Sequence, residues 1–415
     1  MVPKGWEEVQ FSSIVKETQL GTTERHKGEV CEEAIPLLKM GNLTWGSFNL
    51  TNLELIPRAK VDKNLILKKG DFLFNTRNTP ELVGKSAVWD GRIKEITFDN
   101  NINRITFTEK VDSFYLRYYL NFGKGKSKIN SLPAGSTSVA AIYWKDLKNI
   151  KVIIPPLPEQ QKIAKILSTW DKAISTTERL IDNSTQQKKA LMQQLLTGKK
   201  RLLNDEGKRF VGEWNKKTLA DICSKTISYG IVQTGEHVKD GVPCVRVVDL
   251  TQKTVSKNDM ITTSDEINQS YNKTILESGE VMMALRGVVG LVRLVNEDLV
   301  GSNITRGLAR LAPKNELIKS DFFLWILRSS YVKNELMRKV GGSALQEISL
   351  TALRKVQIPF PSLQEQQKIA NVLTNADKEI ELLEQQLADL QQEKKALMQV
   401  LLTGKKRVVV DGEVA

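Results

Sequence analysis

One stretch of about forty residues occurs twice in this chain, and that repeat limits the possible folds more than any other feature. Leu157-Pro158-Glu159-Gln160-Gln161-Lys162-Ile163-Ala164 returns as Leu363-Gln364-Glu365-Gln366-Gln367-Lys368-Ile369-Ala370, displaced by 206 residues. Lys188-Lys189-Ala190-Leu191-Met192-Gln193 returns as Lys394 to Gln399, and Leu195-Leu196-Thr197-Gly198-Lys199-Lys200-Arg201 as Leu401 to Arg407, both again at 206. A constant displacement means that neither copy has gained or lost a residue. The regions ahead of each copy match more loosely. Trp6 pairs with Trp214, Ile35-Pro36 with Val242-Pro243, and Gly70 to Arg77 with Gly279 to Arg286. Asn101-Ile102-Asn103-Arg104 pairs with Asn303-Ile304-Thr305-Arg306, so the displacement drifts between 202 and 209. Two domains of one fold with different loops, each followed by a fixed segment, account for this pattern.

The fixed segments read as helices. Pro155, Pro156 and Pro158, and later Pro359 and Pro361, stand where proline ends a strand or opens a helix. Gly198 and Gly404 stand at the position of a left-handed cap, and the Lys-Lys-Arg after each suits a helix C-terminus and adds sequence-blind positive charge. Ile369, Leu373, Ala376, Ile380, Leu383, Leu387, Leu390, Leu397 and Leu401 recur at threes and fours, with Lys394 interrupting, as in a heptad seam. The first copy keeps Ile163, Ile166, Trp170, Ile174, Ile181, Leu191 and Leu195 in that register but places Thr177 and Ser184 on the seam. Each helix spans about 60 Å at 1.5 Å per residue. With a whole domain between them, the two helices can pair antiparallel.

The expected fold class is α+β, with two similar globular domains separated by two long helices that form an antiparallel coiled coil, an internal pseudo-twofold repeat. The boundaries read as a first domain over 1–157, a helix over 158–198, a basic linker over 199–212, a second domain over 213–363, a helix over 364–404 and a tail over 405–415. Short β-rich runs are expected at Ile105 to Phe107, Lys151 to Ile154, Val245 to Val248, Val281 to Leu285 and Gly290 to Val295. One short amphipathic helix is expected in each domain, near Asp112–Leu120 and Ser320–Lys339.

Composition removes several function classes. The 415 residues allow two or three domains, and 40% hydrophobic with 26% charged residues is ordinary globular composition. No apolar run is long enough for a membrane span and no leader peptide is recognisable. Cys31, Cys223 and Cys244 form no CxxC pair, which fits a reducing cytoplasm. With only His26 and His237, no metal site and no Ser-His-Asp or Cys-His catalysis is expected. The net charge of +13 favours a polyanionic partner, nucleic acid before membrane.

Other catalytic signatures fail on inspection. Thr79 to Ser86 resembles a phosphate loop but has Thr79 where the first glycine is required. Phe122-Gly123-Lys124-Gly125 resembles the glycine turn of methyl-transfer enzymes, yet it follows an aromatic helix rather than a strand, and a flexible basic loop is the better reading. Asp205-Glu206-Gly207-Lys208 reads as a charged linker. No catalytic residue is assigned.

What remains is an inventory for binding, doubled. Arg77 with Asn78, and Arg286, end corresponding strands and are candidates for base readout, since arginine reaches guanine bidentately and asparagine reaches adenine. Lys85, Arg92, Arg104, Lys124, Lys126 and Lys128 in one half, and Arg293, Arg306, Arg310, Arg338 and Lys339 in the other, suit phosphate contacts. Two glycine loops at matching positions, with Ser136 and Thr137 in one and Ser343 in the other, can approach a phosphate or a base. A surface Lys or Arg is more often a plain solvated charge, and Trp6 and Trp214 are better read as core anchors.

Two unlike domains, each ending in Ile154-Pro155-Pro156-Leu157-Pro158-Glu159-Gln160-Gln161 or Pro359-Phe360-Pro361-Ser362-Leu363-Gln364-Glu365-Gln366 and a long helix, resemble the specificity subunit of Type I restriction-modification systems. The resemblance covers essentially the whole chain. It implies a non-catalytic reader of double-stranded DNA, whose two target recognition domains each read half of an asymmetric, bipartite site while the helices set the gap. It also implies two modification subunits that methylate adenine, restriction subunits, and S-adenosylmethionine, ATP and Mg2+ bound on those other subunits, with no cofactor on this chain. Two competing expectations are a self-contained methyltransferase or nuclease, which needs motifs that are missing, and a coiled-coil scaffold with protein-binding end domains.

Overall fold

The computed structural model describes residues 2–25, 33–135, 138–252, 255–341 and 346–410. The chain divides into two compact units, one of Met1–Glu178 with Gln386–Ala415 and one of Arg179–Gln385. Each unit therefore holds one globular domain and half of each long helix, Leu157–Leu195 and Leu363–Leu401.

The repeat extends to the strand order. In the first unit, Glu7–Gln10 pairs antiparallel with Lys151–Ile154, and an antiparallel sheet runs in the order Val15–Leu20, Ile102–Phe107, Phe72–Asn75, Ser86–Val88. A smaller mixed sheet follows the order Glu54–Pro57, Ala34–Leu38, Thr97–Phe98. The second unit repeats all of this. Asn215–Thr218 pairs with Gln357–Phe360, the larger sheet is Ser228–Tyr229, Leu308–Leu311, Val281–Ala284, Val292–Leu294, and the mixed sheet is Ile261–Thr263, Val242–Val245, Asn303–Ile304.

This register corrects one sequence pairing. Leu73 faces Arg104 where Met282 faces Arg310, so Arg104 corresponds to Arg310 and not to Arg306. One strand expectation and one helix expectation also change. The second domain's strand ends at Val245, and Val247–Thr251 turns into a helix because the Asp249 carboxylate accepts from the Arg246 backbone N–H at 2.7 Å. The single amphipathic helix expected in each domain is instead a consecutive pair, Ser113–Leu120 with Gly123–Asn130, and Ser320–Arg328 with Ser330–Met337. The basic stretch after Gly123 is thus helix, not loop. Gly125 allows it: a Cβ there would lie 2.1 Å from the Tyr119 carbonyl oxygen, and Ile129 on the same helix is fully buried.

Within each unit the long helices run antiparallel, the start of one beside the end of the other. In the first, Ile163 and Leu167 share a core with Met398, Leu401, Phe72 and Tyr115. In the second, Leu195, Ile369 and Leu373 share one with Phe322 and Trp325. The predicted seam positions Trp170, Ile174, Ile181, Leu191, Ala376, Leu383, Leu387, Leu390 and Leu397 are half-buried, Ile380 is buried, and most of their neighbours are exposed. Thr177, the polar seam residue, is buried with its hydroxyl returned to the Ala173 carbonyl at 3.0 Å. Ser184 donates to Glu379 at 3.4 Å.

Lysine interrupts the seam where a carboxylate faces it. Lys394 pairs with Asp171 at 2.5 Å, and Lys188 pairs with Asp377. Arg117 and Tyr118 of the first domain join Asp171, and Arg328 of the second approaches Asp377. Burial opposes charge on Asp171, but Lys394, the Tyr118 hydroxyl and Arg117 hold its carboxyl below the usual range. A polar node inside an apolar seam penalises shifted registers, because a shift strands the charges among leucines.

The Glu-Gln of each helix start carries the junction with its domain. Gln160 Nε2 donates to the Pro155 and Lys110 carbonyls at 2.8 and 3.0 Å, and its Oε1 accepts from Asp112 N–H at 2.9 Å. Gln366 does the same with Pro361, Leu317 and Lys319, each at 2.9 Å. Glu159 and Glu365, 3% and 1% exposed, receive the paired N–H groups of Arg407 and Arg201 at 2.6–2.7 Å. The arginine of each Lys-Lys-Arg is therefore neutralised within the fold, so the sequence-blind charge there is carried by the lysines alone. Gly198 and Gly404, at φ +69° and +66°, make the caps that deliver these arginines.

Candidate nucleic-acid interface

In the first domain Asn75 leaves the larger sheet and the chain enters a second, small one. Arg77 lies opposite Ala141, and Ala140–Ala141 pairs in turn with Ala134–Gly135. Arg77 is exposed, and its guanidinium makes no hydrogen bond or ion pair among the described residues. Asn78 is held locally, donating to Asn75 at 3.2 Å and accepting from Thr79 N–H at 2.9 Å. The exposed Val139 and Tyr143 flank the middle strand. Sequence reasoning missed Tyr143, whose only signal is an aromatic residue at the start of a four-residue helix.

The second domain places Arg286 in the same position, bridged to Glu347, and Glu347 bridges Gly341. Ile348 N–H donates to Leu285 as Ile142 N–H does to Thr76, which fixes Glu347 as the counterpart of Ala141. Arg286 Nε lies 2.7 Å from Glu347 Oε1. The Arg286 guanidinium against it, with the charge of Arg306, holds the Glu347 carboxyl below its ordinary range. Arg306 itself is exposed, and its guanidinium makes no hydrogen bond or ion pair among the described residues. Beside this edge an open cleft of about 670 Å³ is lined by Gly287 to Arg293, Gln346, Trp325 and Arg328.

Several expected phosphate contacts are occupied elsewhere. Lys85 is buried and its ammonium pKa is pushed down by desolvation, so it does not present a surface charge. Arg104 bonds Asp71 at 3.3 Å and the Asn64 carbonyl at 2.7 Å, and Arg310, 5% exposed, bonds the Ile275 carbonyl at 2.7 Å beside Glu280. These two arginines are one repeated structural strut, which corrects their assignment to phosphate. Arg293 is held by the Leu250 and Gln252 carbonyls at 3.1 and 2.8 Å. Arg92 pairs with Asp90, and Arg338 pairs with Glu335 at 2.7 Å. Lys128 donates to the Lys151 carbonyl at 2.7 Å, and the Lys126 ammonium sits 3.9 Å from the Trp45 ring centre. Lys124 is exposed and Lys339 half-buried, and neither ammonium makes a hydrogen bond or ion pair among the described residues. Ser136, Thr137 and Ser343 lie outside the described residues.

Among the described residues no group of three His, Cys, Asp or Glu could hold a metal ion. No described helix is long and apolar enough to cross a membrane. Burial pushes the Cys223 and Cys244 thiols up to about 12 and about 11.

The Type I restriction modification DNA specificity domain matches the chain twice, over residues 3–183 and 212–392. The chain is 26% identical over 429 residues to the Type I restriction enzyme MjaVIII specificity subunit of Methanocaldococcus jannaschii, covering 98% of this chain and 94% of that protein. It is also 26% identical over 278 residues to the EcoBI specificity subunit of Escherichia coli, covering 62% and 58%. In fold it is similar to the S subunit of a Type I restriction-modification system from M. genitalium, with a TM-score of 0.61 at 15% identity over 95% of this chain and 96% of the other. With both halves matched, the chain belongs to the family of Type I restriction-modification DNA specificity proteins.

Proposed function

We propose that this chain is the sequence reader of a Type I restriction-modification assembly and performs no catalysis itself. The first domain reads one half of a bipartite site through the edge carrying Arg77, and the second reads the other half through the edge carrying Arg286. The observation that carries this reading is the unequal pair of edges on one repeated scaffold, Arg77 opposite Ala141 and Arg286 opposite Glu347. Unlike edges on like scaffolds suit an asymmetric site. Arginine at each edge suits guanine in the major groove, worth about 1–3 kcal/mol of discrimination per bidentate contact.

The remaining parts follow from the family. Two modification subunits dock along the helices and carry S-adenosylmethionine for adenine methylation. Restriction subunits join them with ATP and Mg2+, and the assembly works in the cytoplasm on the cell's own DNA. The helix pair sets the gap between half-sites. The net charge of +13 supplies affinity that falls steeply with salt. The test is to map methyladenine across the native genome with and without this gene. Loss of one gapped, asymmetric motif supports the reading, whereas an unchanged methylome beside an active modification subunit rejects it in favour of a protein-binding scaffold.

A further inference from the structure

We infer that Glu347 is a specificity-determining residue of the second half-site: it holds Arg286 in one pose and extends a single guanine contact to the neighbouring base. The inference rests on the proposed reading of Arg286 as a base contact. Three observations carry it. Arg286 Nε and Glu347 Oε1 are 2.7 Å apart, with the side chains 32% and 44% exposed, so the pair is both formed and reachable. The two residues are bridged across the same edge that carries Arg77 in the first domain. The first domain has Ala141 at that place, so the device is confined to one half of the molecule.

The chemistry follows from the donor and acceptor pattern. The carboxylate lies 2.7 Å from Nε as an ion-pair contact without an aligned N–H bond, and the terminal nitrogens of Arg286 are left to form the outward fork, which matches O6 and N7 of guanine. The carboxylate retains acceptor capacity and accepts from an amino group, cytosine N4 or adenine N6, while it repels the acceptor edges of guanine and the O4 of thymine. The second half-site is therefore expected to hold a guanine beside cytosine or adenine. The adjacent carboxylate also weakens the pull of phosphate on Arg286, which keeps it from settling on the backbone. Arg77, with alanine opposite, has neither constraint.

The experiment uses the full chain co-expressed with the modification subunit of its own system, with methyladenine mapped genome-wide for wild type, Glu347→Ala and Glu347→Gln. Glu347→Ala is expected to relax the base beside the guanine of the second half-site by about tenfold and leave the first half-site unchanged. Glu347→Gln keeps the side-chain shape beside Arg286 and so retains the guanine, but its amide shifts the neighbouring preference toward bases with acceptors. The same second half-site in Glu347→Ala as in wild type overturns the inference while leaving the family reading intact. A wild-type complex with no gapped motif rejects the proposed bipartite reading itself. Should Glu347→Ala lose both half-sites through misfolding, Glu347→Gln decides: an unshifted neighbouring base overturns the inference.

Discussion

The two domains agree at most of the contacts that tie each domain to its helices and differ at the exposed edges that carry Arg77 and Arg286. Gln160 and Gln366 make the same three hydrogen bonds, and Asp171–Lys394 is repeated as Asp377–Lys188. The strut of Arg104 on Asp71 returns as Arg310 beside Glu280. Against this constancy, Arg77 is unpaired among the described residues and Arg286 is tied to Glu347. Repetition thus marks structural arginines, and divergence marks the ones proposed to contact DNA. Charge type alone does not separate them, because both kinds are arginine in a basic protein.

The largest test of this division lies at the helix ends, where the two copies are alike but not identical. Removing Arg201 leaves Glu365 buried with no other side-chain donor among the described residues, whereas Glu159 without Arg407 still accepts from Trp6 Nε1 at 3.0 Å. An unpaired buried carboxylate costs about 3–5 kcal/mol. Arg201→Ala is therefore expected to destabilise its unit by that amount, and Arg407→Ala by less. Hydrogen exchange resolved by unit measures both. Equal losses in the two variants would show that the Trp6 bond contributes nothing.

Arg77→Ala comes next in size. It is expected to remove about 1–3 kcal/mol of base discrimination at one position of the first half-site only. Arg286→Ala does the same in the second half-site, whereas Arg310→Ala lowers the stability of the second domain before it alters any base preference. Selection from a DNA pool randomised across both half-sites separates these outcomes. A change in both half-sites from Arg77→Ala would show that the domains do not read independently.

Much of the scaffold is legible without coordinates because local rules govern it. Proline at the entry, glycine at the cap and leucine at threes and fours define the two helices, and identical displacement makes them copies. The polar interruption at Lys394 is visible in the sequence, but its partner Asp171 lies 223 residues away in the chain, and only the antiparallel pairing brings them together. The same holds for the reading edge. Arg77 and Arg286 stand out by their matching positions, yet Glu347 is indistinguishable in sequence from any surface glutamate. Loops of different length hid the true counterpart of Arg104, since the nearby Asn-Ile-x-Arg resemblance favoured Arg306 while the sheet register selects Arg310. Lys85 follows a glycine in a loop-like stretch, and nothing in that local pattern shows the chain folding over it.

A smaller difference separates the two tryptophans. Trp6 Nε1 donates to Glu159, whereas the buried Trp214 Nε1 has no partner among the described residues. Trp6→Phe is expected to cost about 0.5–1.5 kcal/mol more than Trp214→Phe, the net value of one hydrogen bond to a buried group. Denaturant midpoints of the two variants give the comparison. A larger loss for Trp214→Phe would place an unrecognised acceptor at its indole.

The smallest expected effect tests the sequence-blind part of binding. The second short helix of the first domain carries Lys124, Lys126 and Lys128, and its counterpart in the second domain carries Tyr331, Lys333 and Glu335 at the same helical positions. Of the first three, Lys126 rests on Trp45 and Lys128 is bonded to Lys151, which leaves Lys124 as the side chain able to meet a phosphate. Lys124→Ala is expected to weaken DNA binding by less than about 1 kcal/mol and to reduce the salt dependence of log K by about 0.9, the release of one counterion. The loss should be the same on every sequence, because a phosphate contact carries no base information. If the variant instead lowers affinity for one half-site sequence more than for others, Lys124 reads a base, and the division between positioning and reading residues in the first domain has to be redrawn around this helix. Tyr331→Lys in the second domain is the converse, adding a cation at the position equivalent to Lys124, where that helix has a tyrosine, and steepening the salt dependence without a change in motif.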